Sequence, residues 1–132
     1  MALRVLIVDD DEDARALLRR ALLKGGFDVV IDTAGDGHEA LERVAAALPQ
    51  VVITDVMMPR MNGFELCAAL RATTATAAIP VMIVSALEDE SDRARGFAVG
   101  ADDYLTKPVL WRDFTNRLLA LLGNPLLASP GR

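Results

Sequence analysis

The feature that most constrains this chain is a regular alternation between short apolar runs and stretches of helical period. Residues 5–8 (VLIV) form a β-branched run that ends in acid. Ala14, Leu17, Leu18, Ala21 and Leu22 then recur at the spacing of one helix face, and Gly25-Gly26 ends it. Residues 29–31 suggest a second strand, followed by a helical stripe of Leu41, Val44, Ala45 and Leu48 up to Pro49. Residues 51–53 make a third strand. Pro59 and Asn62-Gly63 mark the loop after it. A helix over residues 63–72 turns Leu66, Cys67 and Leu70 inward. Residues 81–84 are the fourth strand. Ala94, Phe97 and Ala98 mark a short helix ended by Gly100, residues 103–105 form a fifth strand, and Phe114, Leu118, Leu121 and Leu122 line a last helix. Five strands alternating with five helices predict repeated βαβ units and a doubly wound parallel α/β sheet with helices on both faces. The strands read as continuous apolar runs, as strands covered on both sides do.

Bulk properties narrow the class further. The 132 residues fit one domain, and 52% hydrophobic content is enough to build a core without staples. Charged residues at 25% argue against disorder. A net charge of −5 without a basic cluster argues against direct nucleic-acid binding by this domain. The one cysteine, Cys67, cannot form an internal disulfide. The apolar start MALRVLIVDD turns acidic too soon for a signal peptide or a membrane span. A cytoplasmic protein without membrane attachment is the expectation. Residues 1–123 are expected to be the domain, and residues 124–132 (NPLLASPGR) a tail or the start of a linker.

The chemistry lies where the strands end. The first ends in Asp9-Asp10-Asp11, the third in Thr54-Asp55, the fourth in Ser85-Ala86 and the fifth in Thr106-Lys107-Pro108. In open α/β sheets ligands bind outside the carboxyl ends of the strands, where strand order reverses. Converging carboxylates repel, and cannot all stay ionised without a cation. An all-oxygen donor set favours Mg²⁺, with Mn²⁺ as the alternative. A lysine and a hydroxyl around the same carboxylates suit a dianionic group, and a carboxylate such as Asp55 can attack a phosphoryl donor. Each residue also has a plainer reading. Asp9 to Asp13 would suit a helix N-terminus, with Asp11 as N-cap. Ser85 would suit a helix cap, Lys107 a surface position and Tyr104 a half-buried edge. His38 reads as surface and Cys67 as core. Trp111 opens the last helix, either exposed on a docking face or packed across the helix start.

The segments LIVDDDEDAR, ITDVMMPRMNG, VSA and DDYLTKP occur in an order and at a spacing that resembles the response-regulator receiver domain of two-component signalling, over about residues 3–123. The resemblance implies a flavodoxin-like five-stranded sheet of order 2-1-3-4-5, which brings Asp9, Asp10 and Asp55 into one crevice. It implies Asp55 as phospho-acceptor, and Asp9, Asp10, Asp55 and the backbone carbonyl of Met57 as metal ligands. Ser85 and Lys107 would contact the phosphoryl group. Ser85 and Tyr104 would carry the switch, and Lys107-Pro108 would be cis. Met57 and Leu87 match the positions that tune hydrolysis. Neither orients water, so slow autodephosphorylation is expected. The implied donor is a sensor histidine kinase or a histidine phosphotransfer protein. The surface from helix four to helix five would then act on a downstream protein or an output domain, with a phosphorylation-dependent homodimer as a further option.

On this reading the chain is a phosphorelay signalling domain and not an enzyme, although it assists its own phosphotransfer. Two alternatives belong to other classes. One is a receiver-like interaction module that acts without phosphorylation, against which the intact Asp9, Asp10, Asp55, Ser85 and Lys107 set argues. The other is an aspartyl-nucleophile phosphatase, which would want an Asp-x-Asp pattern where Met57 stands and a cap that no insertion here is long enough to form.

Overall fold

The computed structural model describes residues 2–123; the tail at 124–132 lies outside the described residues. Ten elements alternate along the chain: β1 (Leu3–Val8), α1 (Glu12–Lys24), β2 (Val29–Ala34), α2 (Gly37–Ala46), β3 (Val51–Thr54), α3 (Gly63–Ala72), β4 (Val81–Ser85), α4 (Glu90–Ala98), β5 (Asp103–Thr106) and α5 (Trp111–Leu121). The strands form one parallel sheet of order β2-β1-β3-β4-β5. The register pairs Val8 with Thr54 across β1 and β3, and Ser85 with Thr106 across β4 and β5. No helix among the described residues is long and apolar enough to cross a membrane.

The pleat sorts each apolar run onto two faces. Val5, Ile7, Val51 and Ile53 join Leu18, Leu22, Phe114 and Leu118 under α1 and α5. Leu6, Val8, Val52 and Ile83 join Val44, Leu66, Leu70 and Tyr104 under α2, α3 and α4. β3 and β4 are buried throughout, which is why they lack the polar alternation of a half-exposed strand.

Local chemistry sets the helix starts. Asp11 caps α1 by accepting from the Asp13 N–H, and Asp36 caps α2 by accepting from Glu39. Asn62 and Glu65 form a reciprocal capping box on α3. His38 is exposed and Cys67 buried, as read from sequence. Three expected stripes are corrected. Leu17 is 63% exposed, because only the Leu18–Leu22 arc of α1 meets the sheet. Leu48 lies beyond the end of α2, where the backbone turns extended at Ala47; Leu48 and Ala45 are both exposed. In α4, Ala94, Phe97 and Ala98 face solvent, and the one buried residue is Gly96, against Tyr104 and Ile83. Helix α4 touches the sheet through a glycine, so an apolar stripe could not reveal its inner face.

Candidate functional site

The β1–β3 pairing places Asp9 and Asp55 on adjacent strand ends. The Asp55 N–H donates to the Val8 carbonyl at 2.9 Å, and the Asp9 N–H to Ala34 at 3.0 Å. Asp9 is 2% exposed. Its Oδ1 accepts from the Asp11 N–H at 2.9 Å and its Oδ2 from Lys107 Nζ at 3.0 Å. Asp55 Oδ1 accepts from the Val56 N–H at 2.7 Å, and its Oδ2 lies 3.5 Å from the same Lys107 Nζ. Asp10 is exposed at the rim. One carboxylate oxygen each from Asp9, Asp10 and Asp55 lies within 4.8 Å of the other two.

Lys107 directly follows Thr106 at the end of β5 and precedes a cis peptide bond to Pro108, and its N–H is held by the Ser85 carbonyl at 2.8 Å. Burial pulls its ammonium toward the neutral form. The Asp9 hydrogen bond and the charges of Asp55 and Asp9 outweigh that, so its pKa rises above the ordinary 10.5 and the lysine is cationic at neutral pH. Two of the three carboxylates, Asp9 and Asp55, face that one ammonium. The surplus negative charge and the all-oxygen donors fit a hard divalent cation.

A second set of side chains lies behind the first. Ser85 is fully buried, and its Oγ accepts from the Leu87 N–H at 3.2 Å. The Tyr104 hydroxyl donates to the Leu87 carbonyl at 2.7 Å. Tyr104 is wholly buried, not a half-exposed edge residue. Met57 points outward, 61% exposed, on the loop that follows Asp55. Trp111 is half-buried, with Lys24 Nζ from the end of α1 5.0 Å from its ring centre.

Sequence reasoning missed three contacts at the site and one ion pair on the loop beside it. Arg15 donates to the Asp9 carbonyl at 2.6 Å. The buried Thr54 hydroxyl donates to the Asp55 carbonyl at 2.8 Å. Gly63 lies against the Asp55 carbonyl with no room for a Cβ. Arg60 pairs with buried Asp36. Only Gly63 had a local signal, the Asn-Gly turn, and that signal spoke of the loop and not of Asp55.

Residues 5–119 match the family model of the response regulator receiver domain. The chain belongs to that family. Response regulator MprA of Mycolicibacterium vanbaalenii is similar, 43% identical over 122 residues, which is 92% of this chain and 51% of the relative. The chain thus spans about half the length of the curated relatives it matches. Among solved structures, chemotaxis response regulator CheY4 of Vibrio cholerae is similar at 30% identity, with a TM-score of 0.83 over 92% of this chain and 99% of that one. The receiver domain of a signal transduction histidine kinase from Syntrophus aciditrophicus is 31% identical, with a TM-score of 0.84 over 92% and 91%. Receivers of this architecture therefore occur in two-component regulators and within kinases alike. The flavodoxin-like order 2-1-3-4-5 is borne out.

Proposed function

We propose that this receiver domain accepts a phosphoryl group on Asp55 from a phosphohistidine of a partner kinase or phosphotransfer protein. The observation that carries the reading is Lys107 Nζ lying between the Asp9 and Asp55 carboxylates, with Asp10 beside them. Asp9, Asp10, Asp55 and the Met57 carbonyl would hold Mg²⁺, with Mn²⁺ as a substitute. The ion supplies charge neutralisation for phosphoryl oxygens. Asp55 is the nucleophile: its carboxylate oxygen bonds phosphorus as the phosphorus–nitrogen bond of the donor breaks. Lys107 carries a fixed positive charge to the incoming oxygens. Ser85 offers its hydroxyl as a donor to one of them.

The switch would run through Ser85, Leu87 and Tyr104, which already share hydrogen bonds. Movement of Ser85 toward the phosphoryl group would alter the Tyr104 packing under α4. The α4–β5–α5 surface would then favour a downstream protein or an output domain, or a homodimer. A free-energy difference of a few kcal/mol suffices. A groove beside Lys107, lined by Leu17, Ala21, Val109 and Trp111, offers apolar surface for the phosphodonor. Residues 1–123 would be the phospho-acceptor domain. The half of the relatives that this chain does not span would carry the output.

The test is incubation with acetyl phosphate and Mg²⁺ followed by intact mass measurement. A gain of one phosphoryl group, absent in Asp55→Asn and with chelator, supports the reading. No gain, even from cognate kinases, favours an interaction module that works without phosphate. Met57 and Leu87 leave no side chain to orient an attacking water. The phosphoprotein should therefore persist for minutes or longer, as expected if lost water orientation costs roughly one to two decades of rate. Complete decay within seconds would sink that expectation.

A further inference from the structure

The loop between β3 and α3 carries Met57, whose carbonyl is proposed to bind the cation, yet Met57, Pro59 and Arg60 on it are exposed. Its return leg is gripped by the first turn of α2. The Gly37 N–H donates to the Met61 carbonyl at 3.1 Å. The Met61 side chain lies where a Cβ on residue 37 would stand. Arg60 forms an ion pair with Asp36, whose side chain is 3% exposed. Asp36 spends its other oxygen on the Glu39 N–H as the α2 cap. Among the described residues, Arg60 is the one cation paired with Asp36 and the one non-glycine residue with positive φ, at 65°.

A left-handed backbone is costly for a residue with a side chain and persists where the surroundings impose it. An exposed arginine gains little from a surface pair. Here the carboxylate is buried, and without Arg60 its charge would lack a counter-ion. We propose that the Arg60–Asp36 pair is a clamp that holds the Met57 loop at the acid site, making Arg60 and Asp36 positioning residues for cation binding and hence for phosphorylation of Asp55. The inference rests on the function proposed above. It ties the β2–α2 turn to the reaction, although neither residue touches the reacting atoms. Groups that hydrogen-bond a metal's ligands change its affinity when removed, and this pair would act one step further out, through the backbone of the Met57 loop.

The experiment is titration calorimetry with Mg²⁺ on the full chain, alongside thermal melts in its absence. Arg60→Gly removes the guanidinium and at the same time relieves the left-handed backbone. A purely structural pair therefore predicts unchanged Mg²⁺ affinity in that variant. The clamp predicts Mg²⁺ binding about tenfold weaker at a temperature where the melts show the variant still folded, with acetyl phosphate labelling restored at high Mg²⁺. Asp36→Asn keeps the capping oxygen and should weaken binding to the same degree. The double variant should lose no more than either single one. Arg60→Lys, which keeps the charge, should recover most of the affinity. Arg60→Gly binding Mg²⁺ within about twofold of the parent, or fully additive losses, would overturn the clamp alone. A parent protein with no Mg²⁺ affinity that responds to Asp10→Asn would overturn both the clamp and the acid site it serves.

Discussion

Gly63 begins α3 so close to the Asp55 carbonyl that a Cβ would overlap backbone rather than a yielding side chain. Gly63→Ala should therefore cost about 2 kcal/mol or more, since neither the strand end nor the helix start can move freely. Urea denaturation checks this. Tyr104 offers a prediction in pH. Burial raises its hydroxyl pKa above the ordinary 10.0, and the neighbouring Ser85 side chain offsets part of that. The folded value then lies above the unfolded one. The stability it contributes is complete below the unfolded value and is lost as pH rises through the folded one. Tyr104→Phe should start lower, by about 1 kcal/mol for the orphaned Leu87 carbonyl. Its urea midpoint should also fall less steeply than the parent's above about pH 10. Parallel alkaline limbs would count against this account.

Among the elements, α3 and α4 differ most in what holds them. α3 buries Phe64, Leu66, Cys67 and Leu70 and has a complete capping box. α4 buries only Gly96, and its N-cap Asp89 makes no side-chain capping bond. Its polar anchors come from two arginines: Arg93 donates to the Tyr104 carbonyl at 3.2 Å and lies 5.3 Å from its ring centre, and Arg95 lies 4.6 Å from the Phe64 ring centre. An element with few buried contacts opens at low free energy. Amide exchange in α4 should be at least about tenfold less protected than in α3. Equal protection would mean that α4 is not the loose element. Asn62→Ala should cost about 1 kcal/mol through loss of the α3 cap. The low anchoring of α4 agrees with its proposed place on the switching surface.

For the whole molecule, the acid site is a point where native-state charges are held close by the sheet. Asp9 and Asp55 belong to neighbouring strands, and Lys107 reaches them from the far edge strand. A cation that binds only this folded arrangement must stabilise it. At Mg²⁺ a hundredfold above its dissociation constant the gain is about 2.7 kcal/mol. For a domain of this size that raises the melting temperature by roughly 10 °C. Asp10→Asn should abolish most of the shift. A melting temperature indifferent to Mg²⁺ would speak against the cation site.

Much of this was legible in the sequence by itself. Apolar runs of strand length set between helical stripes determine a parallel α/β sheet, because each strand must be covered on both faces. The chemical types at the strand ends, Asp9, Asp10, Asp55, Ser85 and Lys107, are likewise local facts. Strand order is not, because hydropathy says that a strand is buried and not which strand lies beside it. The structure also decided the inner face of α4, since a glycine contact leaves no apolar mark. Leu17 faces solvent because a stripe of five apolar positions is wider than the arc that meets the sheet. The pairing of Asp36 with Arg60 joins residues 24 apart, and neither carries a motif of its own. Which charges neutralise one another depends on distances through space, and only the packed chain sets those.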